Sequence, residues 1–427
     1  MERTTCCIVG GGPAGMVMGL LLARAGVEVT VLEKHGDFLR DFRGDTVHPS
    51  TLALLDDLGL DDRFASLPQS RLEEVALPVD ERQTMLRIAD FRRLARLGVR
   101  HPYIAMVPQW DLLNLLAEAG EQEPTFTLRM NTEATELIHE PGGRIGGVRY
   151  RTADGTTGEL HADLTVACDG RTSMARAGAG MDVTEYPVSF DAWWFRLPRH
   201  DGDDLAALSP RLGRGRVCVV IPREGYFQIA YLGPKGTDAE LRAAGVEAFR
   251  RDVAEVVPVL ADRVDTIASM DDVKHLDVRL NLLHDWHTDG LLCIGDAAHA
   301  MSPMGGVGIN LAVQDAVAAA TLLAEPLREH RVTGRDLAAV RRRRLLPTRL
   351  VQGLQRFMHR NTVDRVLTGD QVEPPKALLR IMNTVPQASV LPALFIGVGV
   401  RPERAPAFAR RPATPVAARD TEPVEKG

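Results

Sequence analysis

The triplet Gly10, Gly12 and Gly15, set between two apolar runs and followed by an acid, constrains this chain more than any other feature in it. Residues 5–9 read as a buried strand. Pro13 and Ala14 open an apolar helix that reaches about Ala25 and stops at Gly26, and residues 27–32 form a second strand that delivers Glu33 and Lys34. Strand, glycine turn, helix, strand and acid, in that order, make a βαβ unit. Each part has a mechanical reason: Gly10 allows the tight turn, Gly12 the approach of a pyrophosphate, Gly15 the packing of helix on strand, and Glu33 accepts from ribose hydroxyls. Three glycines alone would be a weak signal, but the full order specifies a dinucleotide site on a parallel sheet.

A second stretch, residues 291–320, follows a similar logic. Residues 291–294 are a short apolar strand, and Gly295-Asp296 places a carboxylate at its carboxyl end, where open α/β sheets bind ligands. Pro303, Gly305, Gly306 and Gly308 then let the backbone approach a flat ligand before a helix begins near Ile309 and Asn310. The helix start offers free N–H groups and a positive dipole end, which suits the negative charge of a reduced flavin. A glycine-rich loop entering a packed helix is the plain alternative, and these residues by themselves leave both open. A further strand-end carboxylate, Asp169-Gly170, follows the apolar run 164–168.

Other candidates are less specific. Arg43, in the polar loop after the ribose strand, is close enough in sequence to reach the same cofactor, or is a surface arginine. Gln109 lies just ahead of a helix over 112–119 for which Asp111 is a fitting N-cap, and so could face a ligand. His48 has no partner that the sequence identifies and reads as structural.

At 427 residues the chain exceeds one ordinary core, so two domains are expected. Residues 1–180 and 276–345 read as two parts of the nucleotide domain, with strands at 126–139, 147–152, 159–160 and 164–168 in the first. Residues 181–275 read as an inserted sheet, with a strand at 188–197, a hairpin of 216–221 and 226–232, and one helix over 238–256. Residues 72–97 leave the nucleotide domain and could join that sheet. Trp193, Trp194 and Phe195, in a chain only 5% aromatic, form either a sheet core, the safer reading, or a pocket wall. Trp194, Tyr226 and Gln228 are the pocket candidates; alternation puts Tyr226 and Gln228 on one face and Tyr231 on the other. The arginines 341–344 read as a solvated helical face, residues 346–401 as C-terminal helices, and 402–427 as a disordered tail.

Composition narrows the function classes. A net charge of −6 with few aromatics offers no basic surface for nucleic acid. Five cysteines in apolar runs without a CxxC pair read as buried, reduced thiols of a cytoplasmic protein, with no metal site. The N-terminus enters a strand directly, which argues against a signal peptide, and the apolar run 391–400 is too short for an integral membrane segment.

Taken together, Gly10 to Gly15 with Glu33, Cys168-Asp169-Gly170, and Gly295-Asp296-Ala297-Ala298-His299 with Pro303 to Asn310 resemble the single-component flavoprotein monooxygenases of the para-hydroxybenzoate hydroxylase type, over roughly residues 6–344. The resemblance implies an α/β fold: a Rossmann-like FAD-binding domain of the GR2 type with an inserted antiparallel β-sheet substrate domain and C-terminal helices. It implies FAD, with Arg43 and Gln109 touching it, Asp296 on its ribityl and pyrophosphate side, and Gly308, Ile309 and Asn310 at the isoalloxazine. Asp169-Gly170 would serve both FAD and a transient NADH or NADPH donor, with Arg176 as the usual downstream arginine. The implied reaction uses O2, through a flavin C4a-hydroperoxide, to hydroxylate an aromatic or polyketide-like small molecule. Two departures stand out: Val307 replaces the glutamine of the PxxGQGxN pattern, and Gln109 stands where many relatives have arginine. A prenyl-chain reductase, a halogenase and a non-enzymatic flavin sensor are the alternatives, though no WxWxIP stretch supports the halogenase. The catalytic base and the oligomeric state are not legible.

Overall fold

The computed structural model describes residues 1–39, 46–78, 85–203, 208–213, 215–369 and 384–412. Arg43 lies outside them. An eight-stranded sheet forms the centre, in which Glu2–Val9 runs parallel to Val29–Leu32 on one side and to Thr157–Ala167 on the other. Phe126–Arg129 and Leu291–Cys293 extend the parallel set outward. Cys6, Cys7, Ile8, Val31, Leu164, Val166 and Leu292 are all buried, because both faces of the sheet are covered. That is why these strands read as continuous apolar runs and not as alternating ones.

Thr157–Ala167 replaces two expected strands with one of 11 residues. Its first half pairs antiparallel with Ile145–Thr152, and its second half pairs with Leu291–Cys293. His161 and Asp163 interrupt the apolar pattern where the strand passes from one set of neighbours to the other. Helices Pro13–Arg24 and Gly308–Arg328 pack on each other beside this sheet. The segment Met304–Arg328 is long and apolar enough to cross a membrane by length and composition, but 83% of its most apolar window is buried in the fold.

A second, antiparallel sheet of five strands runs in the order Ser209–Gly213, Arg216–Pro222, Tyr226–Pro234, Phe190–Pro198 and Lys274–Leu276. Trp193, Phe195, Phe227, Ile229 and Tyr231 on its back pack with Phe249, Val253 and Leu260. The one helix expected over 238–256 is two, Asp238–Ala244 and Val246–Val256, broken at Gly245, whose φ is +84°. On the front, Leu72, Phe91 and Leu94 from residues 72–97 pack with Ile221 of the sheet and Ala393 of the C-terminal helix Val390–Gly397.

Two expectations need correction. Arg344 is no solvated arginine: it is 1% exposed, and its Nε donates to Asp315 at 2.9 Å. Asp315 in turn meets His299 Nε2 at 2.5 Å, and burial alone would raise its carboxyl, but the charges of His299 and Arg344 outweigh that and hold it below the usual range. Residues 402–412 are likewise not a free tail. Glu403 is buried and takes a paired contact from Arg343, Arg404 pairs with Asp57, and Ala405 and Ala409 join the main core. Composition saw prolines and charges there; the partners are supplied by helices far away in sequence.

Candidate functional site

The glycine turn at 10–15 combines two kinds of glycine. Gly10 has φ +104°, and a Cβ on it would lie 2.5 Å from the Cys168 carbonyl oxygen; a Cβ on Gly15 would lie 2.0 Å from the Gly10 carbonyl oxygen. Those two are required by chain packing on chain. Around Gly12, by contrast, a Cβ would meet none of the described residues within 4 Å. The helix Pro13–Arg24 starts at Gly12 without a side-chain cap, so its first N–H groups and its positive end face that open space. Glu33, 2% exposed at the end of the neighbouring strand, accepts from the Gly11 N–H at 2.8 Å and the His35 N–H at 3.0 Å. Lys34 beside it is exposed.

Parallel pairing places three strand ends side by side, which brings Gly10, Asp169 and Gly295 to one edge of the sheet. Asp169 Oδ2 accepts from the Ala175 N–H at 3.1 Å, while Oδ1 is buried with no hydrogen-bond partner. Burial raises its carboxyl, against the hydrogen bonds from Ser173 and Ala175. Gly170 follows with φ +83° and open space where a Cβ would stand. Arg176 joins this turn to the next: its guanidinium donates to the Arg171 carbonyl at 2.8 Å and the Ala297 carbonyl at 3.2 Å. Arg171 also approaches the half-exposed Asp296 at 3.5 Å. The Gly295 N–H is held by Asp315 at 3.2 Å, so the buried His299–Asp315–Arg344 group supports this strand end from behind.

The glycine loop follows. Gly306 N–H returns to the Pro303 carbonyl at 3.0 Å, and Gly305 and Gly306 have φ of +82° and +63°. A Cβ on Gly306 would meet Thr46 Oγ1 at 2.7 Å. The helix Gly308–Arg328 then begins, again without a side-chain cap, and Ile309 is partly buried in its first turn. The Asn310 side chain is turned away into the protein, where its Oδ1 accepts from Ser50 and Thr51, each at 2.8 Å. Val307, in place of the usual glutamine, is 7% exposed and packs with Leu280, Met301, Leu311 and Val351. Gln109 is half-buried; it is the first residue of the helix Gln109–Glu121 and not a residue ahead of it, so Asp111 lies inside the first turn and Pro108 stands at the cap.

Register decides the front of the five-stranded sheet. Trp194 pairs with Ala230, Arg196 with Gln228 and Pro198 with Tyr226, so Trp194, Gln228 and Tyr226 share the face opposite Trp193 and Tyr231. Trp194 and Val219 pack against the cluster that holds Ile221, and also against a second cluster of Phe190, Ala192 and Leu232 that Met304 of the glycine loop joins as well. Tyr226 lies under the Arg196 guanidinium at 4.6 Å. Gln228 is only 1% exposed, and its Oε1 accepts from Arg223 at 3.0 and 3.1 Å. Of the three pocket candidates, Gln228 is thus taken up inside the sheet.

Sequence reasoning missed the supports of the loop. From the helix Gly334–Met358, Gln355 Nε2 donates to the Ser302 and Met304 carbonyls at 2.9 Å and its Oε1 accepts from the Ser302 N–H, while His359 Nε2 meets Ser302 Oγ at 2.9 Å. A glutamine and a histidine some 50 positions downstream give no local signal. His48, read as structural and partnerless, has both ring nitrogens engaged.

The geometry fits an adenine dinucleotide bearing a flat ring system. It offers an open cradle at Gly12, two uncapped helix starts, an acid at the ribose position, and a loop at 305–306 whose positive φ favours glycine. Comparison with known proteins agrees. The model of the FAD binding domain family matches residues 3–353. The 6-methylpretetramide 4-monooxygenase of Streptomyces rimosus is 33% identical over 409 residues, 92% of this chain and 93% of its own. The protoasukamycin 4-monooxygenase of Streptomyces nodosus subsp. asukaensis is 26% identical, over 76% of this chain and 80% of its own. Among solved structures, the anhydrotetracycline hydroxylase OxyS of Streptomyces rimosus has a TM-score of 0.72 at 21% identity, covering 94% of this chain and 77% of its own. A flavin-dependent brominase has a TM-score of 0.74 at 16% identity, covering 93% and 96%, so the fold is shared beyond hydroxylases. This chain belongs to the FAD binding domain family and is an FAD-dependent monooxygenase of the para-hydroxybenzoate hydroxylase type.

Proposed function

We propose that this enzyme uses NADH or NADPH and O2 to hydroxylate an aromatic or polyketide-derived small molecule bound between the glycine loop and the front of the five-stranded sheet. The observation that carries this reading is the near full-length match to a 6-methylpretetramide 4-monooxygenase. In support, Met304 of the loop packs against the same apolar cluster, with Ala192 and Leu232 of the sheet in it, that Trp194 and Val219 pack against.

In this reading the N–H groups at Gly12 and the helix start hold the pyrophosphate, Glu33 the ribose, and Asp169 and Asp296 the middle of the cofactor. Gly305 and Gly306 approach the ring system, with Gly308 and Ile309 supplying N–H groups at the second helix start. Bound FAD supplies the chemistry: it accepts a hydride from the donor and activates dioxygen. The protein's part is to orient it and to keep water from the reacting centre, for which an apolar sheet face is suited. Lys34 and Gln109 would complete the cofactor contacts in this reading.

The test is oxygen labelling. The FAD-loaded enzyme should oxidise NAD(P)H slowly alone and faster with a polycyclic phenol, and one atom from labelled dioxygen should appear in the product. A stimulated reaction whose product gains hydrogen or halide and no labelled oxygen would reject the hydroxylase reading.

A further inference from the structure

Residues 46–51 form a comb of polar side chains reaching into three separate pieces of the molecule. Thr46 Oγ1 donates to the Gly306 carbonyl at 2.7 Å. His48, fully buried, has Nε2 at 3.0 Å from that same carbonyl and Nδ1 at 2.8 Å from the Ile396 carbonyl, near the end of the helix Val390–Gly397. Ser50 and Thr51 hold Asn310 in the first turn of the following helix, and Ser50 also reaches the Gly397 carbonyl at 3.5 Å.

We propose that His48 is a positioning residue of the glycine loop, fixing the plane of the Gly306–Val307 peptide so that its N–H is presented on the ligand side. Peptide planarity carries the argument: in a trans peptide the N–H points opposite the carbonyl, so a carbonyl held inward by two donors sends the next N–H outward. Among the described residues, the Val307 N–H at the end of this turn has no close backbone hydrogen bond that would use it inside the protein. The positive φ at Gly305 and Gly306 leaves this peptide free of the usual steric limits, so something other than local sterics has to set its orientation. Thr46 and His48 do so from one strand and its turn, while Nδ1 on the other side of the ring lies against the C-terminal helix at the Ile396 carbonyl. Burial pushes the His48 imidazole down from its ordinary value, and a neutral ring carries one N–H for two carbonyls; the proposal assigns that N–H to Nε2, on the Gly306 carbonyl. This inference rests on the reading that the loop meets the cofactor ring.

Two side chains separate the two arms, since glutamine reproduces a donor near the Nε2 position and asparagine one near Nδ1. Apoprotein of His48→Gln, His48→Asn and the unaltered chain would be titrated with FAD, recording the dissociation constant, the visible absorption bands and the melting temperature of the apo form. His48→Gln should bind FAD within about twofold of the unaltered chain. His48→Asn should bind about tenfold more weakly, as for one lost buried hydrogen bond, with shifted long-wavelength bands, while its apo form melts close to that of His48→Gln. Equal FAD affinity and spectra in the two variants would overturn the proposal. If His48→Asn does not fold, Thr46→Val removes the other donor to the same carbonyl and should weaken FAD severalfold; unchanged affinity there would overturn it too. Failure of the hydroxylation test with intact FAD binding would remove the proposed reaction and leave this inference standing.

Discussion

The nucleotide cradle and the front of the five-stranded sheet lie in one molecule and are built on opposite principles. The cradle is made of backbone: at Gly10 and Gly15 the missing side chain lets chain pack on chain, and at Gly12 it leaves the space open. The sheet face is made of side chains, and what faces the ligand depends on alternation and register, so that Trp193 and Trp194, adjacent in sequence, belong to different compartments. A backbone site tolerates almost no change in residue type and leaves a strict spacing in the sequence. A side-chain site can exchange residues and leaves none.

The sharpest way to break this contrast lies within the cradle itself. Gly15→Val would put a Cβ 2.0 Å from the Gly10 carbonyl oxygen, where neither partner can yield. Loss of folded protein is expected, beyond the roughly 4 kcal/mol that marks exceptional single substitutions. Gly12→Ala meets none of the described residues within 4 Å and should melt within a few degrees of the unaltered apoprotein. It should nevertheless lose FAD affinity by at least about tenfold, because its methyl group occupies the proposed pyrophosphate space. Full FAD affinity in Gly12→Ala would show that the open space there is not the cofactor's.

The same contrast predicts a smaller, divided effect on the sheet. Trp193 is fully buried and its Nε1 donates to Asp238 at 2.8 Å. Trp193→Ala should therefore cost about 3–5 kcal/mol in chemical denaturation. Trp194, on the front, is only partly buried, and its Nε1 has no hydrogen-bond partner. Trp194→Ala should cost less than half as much in stability but raise the ligand concentration needed to stimulate NAD(P)H oxidation. If Trp194→Ala proves the more destabilising of the two, the front face is core and not pocket.

These differences explain what was legible. The βαβ unit, the strand-end carboxylates and the glycine loop were readable because each follows from local stereochemistry at fixed spacing. The alternation of Tyr226 against Tyr231 was readable for the same reason. Register was not, so the strand over 157–167 looked like two. Least legible were the side chains that support the cradle from afar. Arg344 reads as one of four surface arginines until Asp315, 29 positions earlier, is found beside it. Gln355, His359 and Glu403 carry no spacing at all, since their partners are set by how the C-terminal helices dock. Gly245 lies inside the single helix expected over 238–256, yet its positive φ divides that stretch in two.

The weakest expected effect concerns those supports and their titration. The Gly10–Gly15 turn has no ionisable side chain, whereas two histidines, His48 and His359, hold the glycine loop, and burial pushes both below the ordinary histidine value. A lowered folded value means that below the unfolded value, near 6.5, the unfolded chain takes up protons that the folded chain resists. The stability they contribute is therefore fully present above about pH 6.5 and is lost as pH falls toward the lowered folded values, by at most about 1.4 kcal/mol per pH unit for each group. Asp169 runs the other way, because its raised carboxyl favours the folded state once protonated. Urea denaturation of the apoprotein should thus give a stability that declines from pH 7.5 to 5.5, and His359→Asn should have a shallower decline than the unaltered chain. A profile flat across that window, or a slope unchanged in His359→Asn, would mean that the ring at 359 is protonated in the folded state and that the loop is held there by an ion and not by a neutral hydrogen bond.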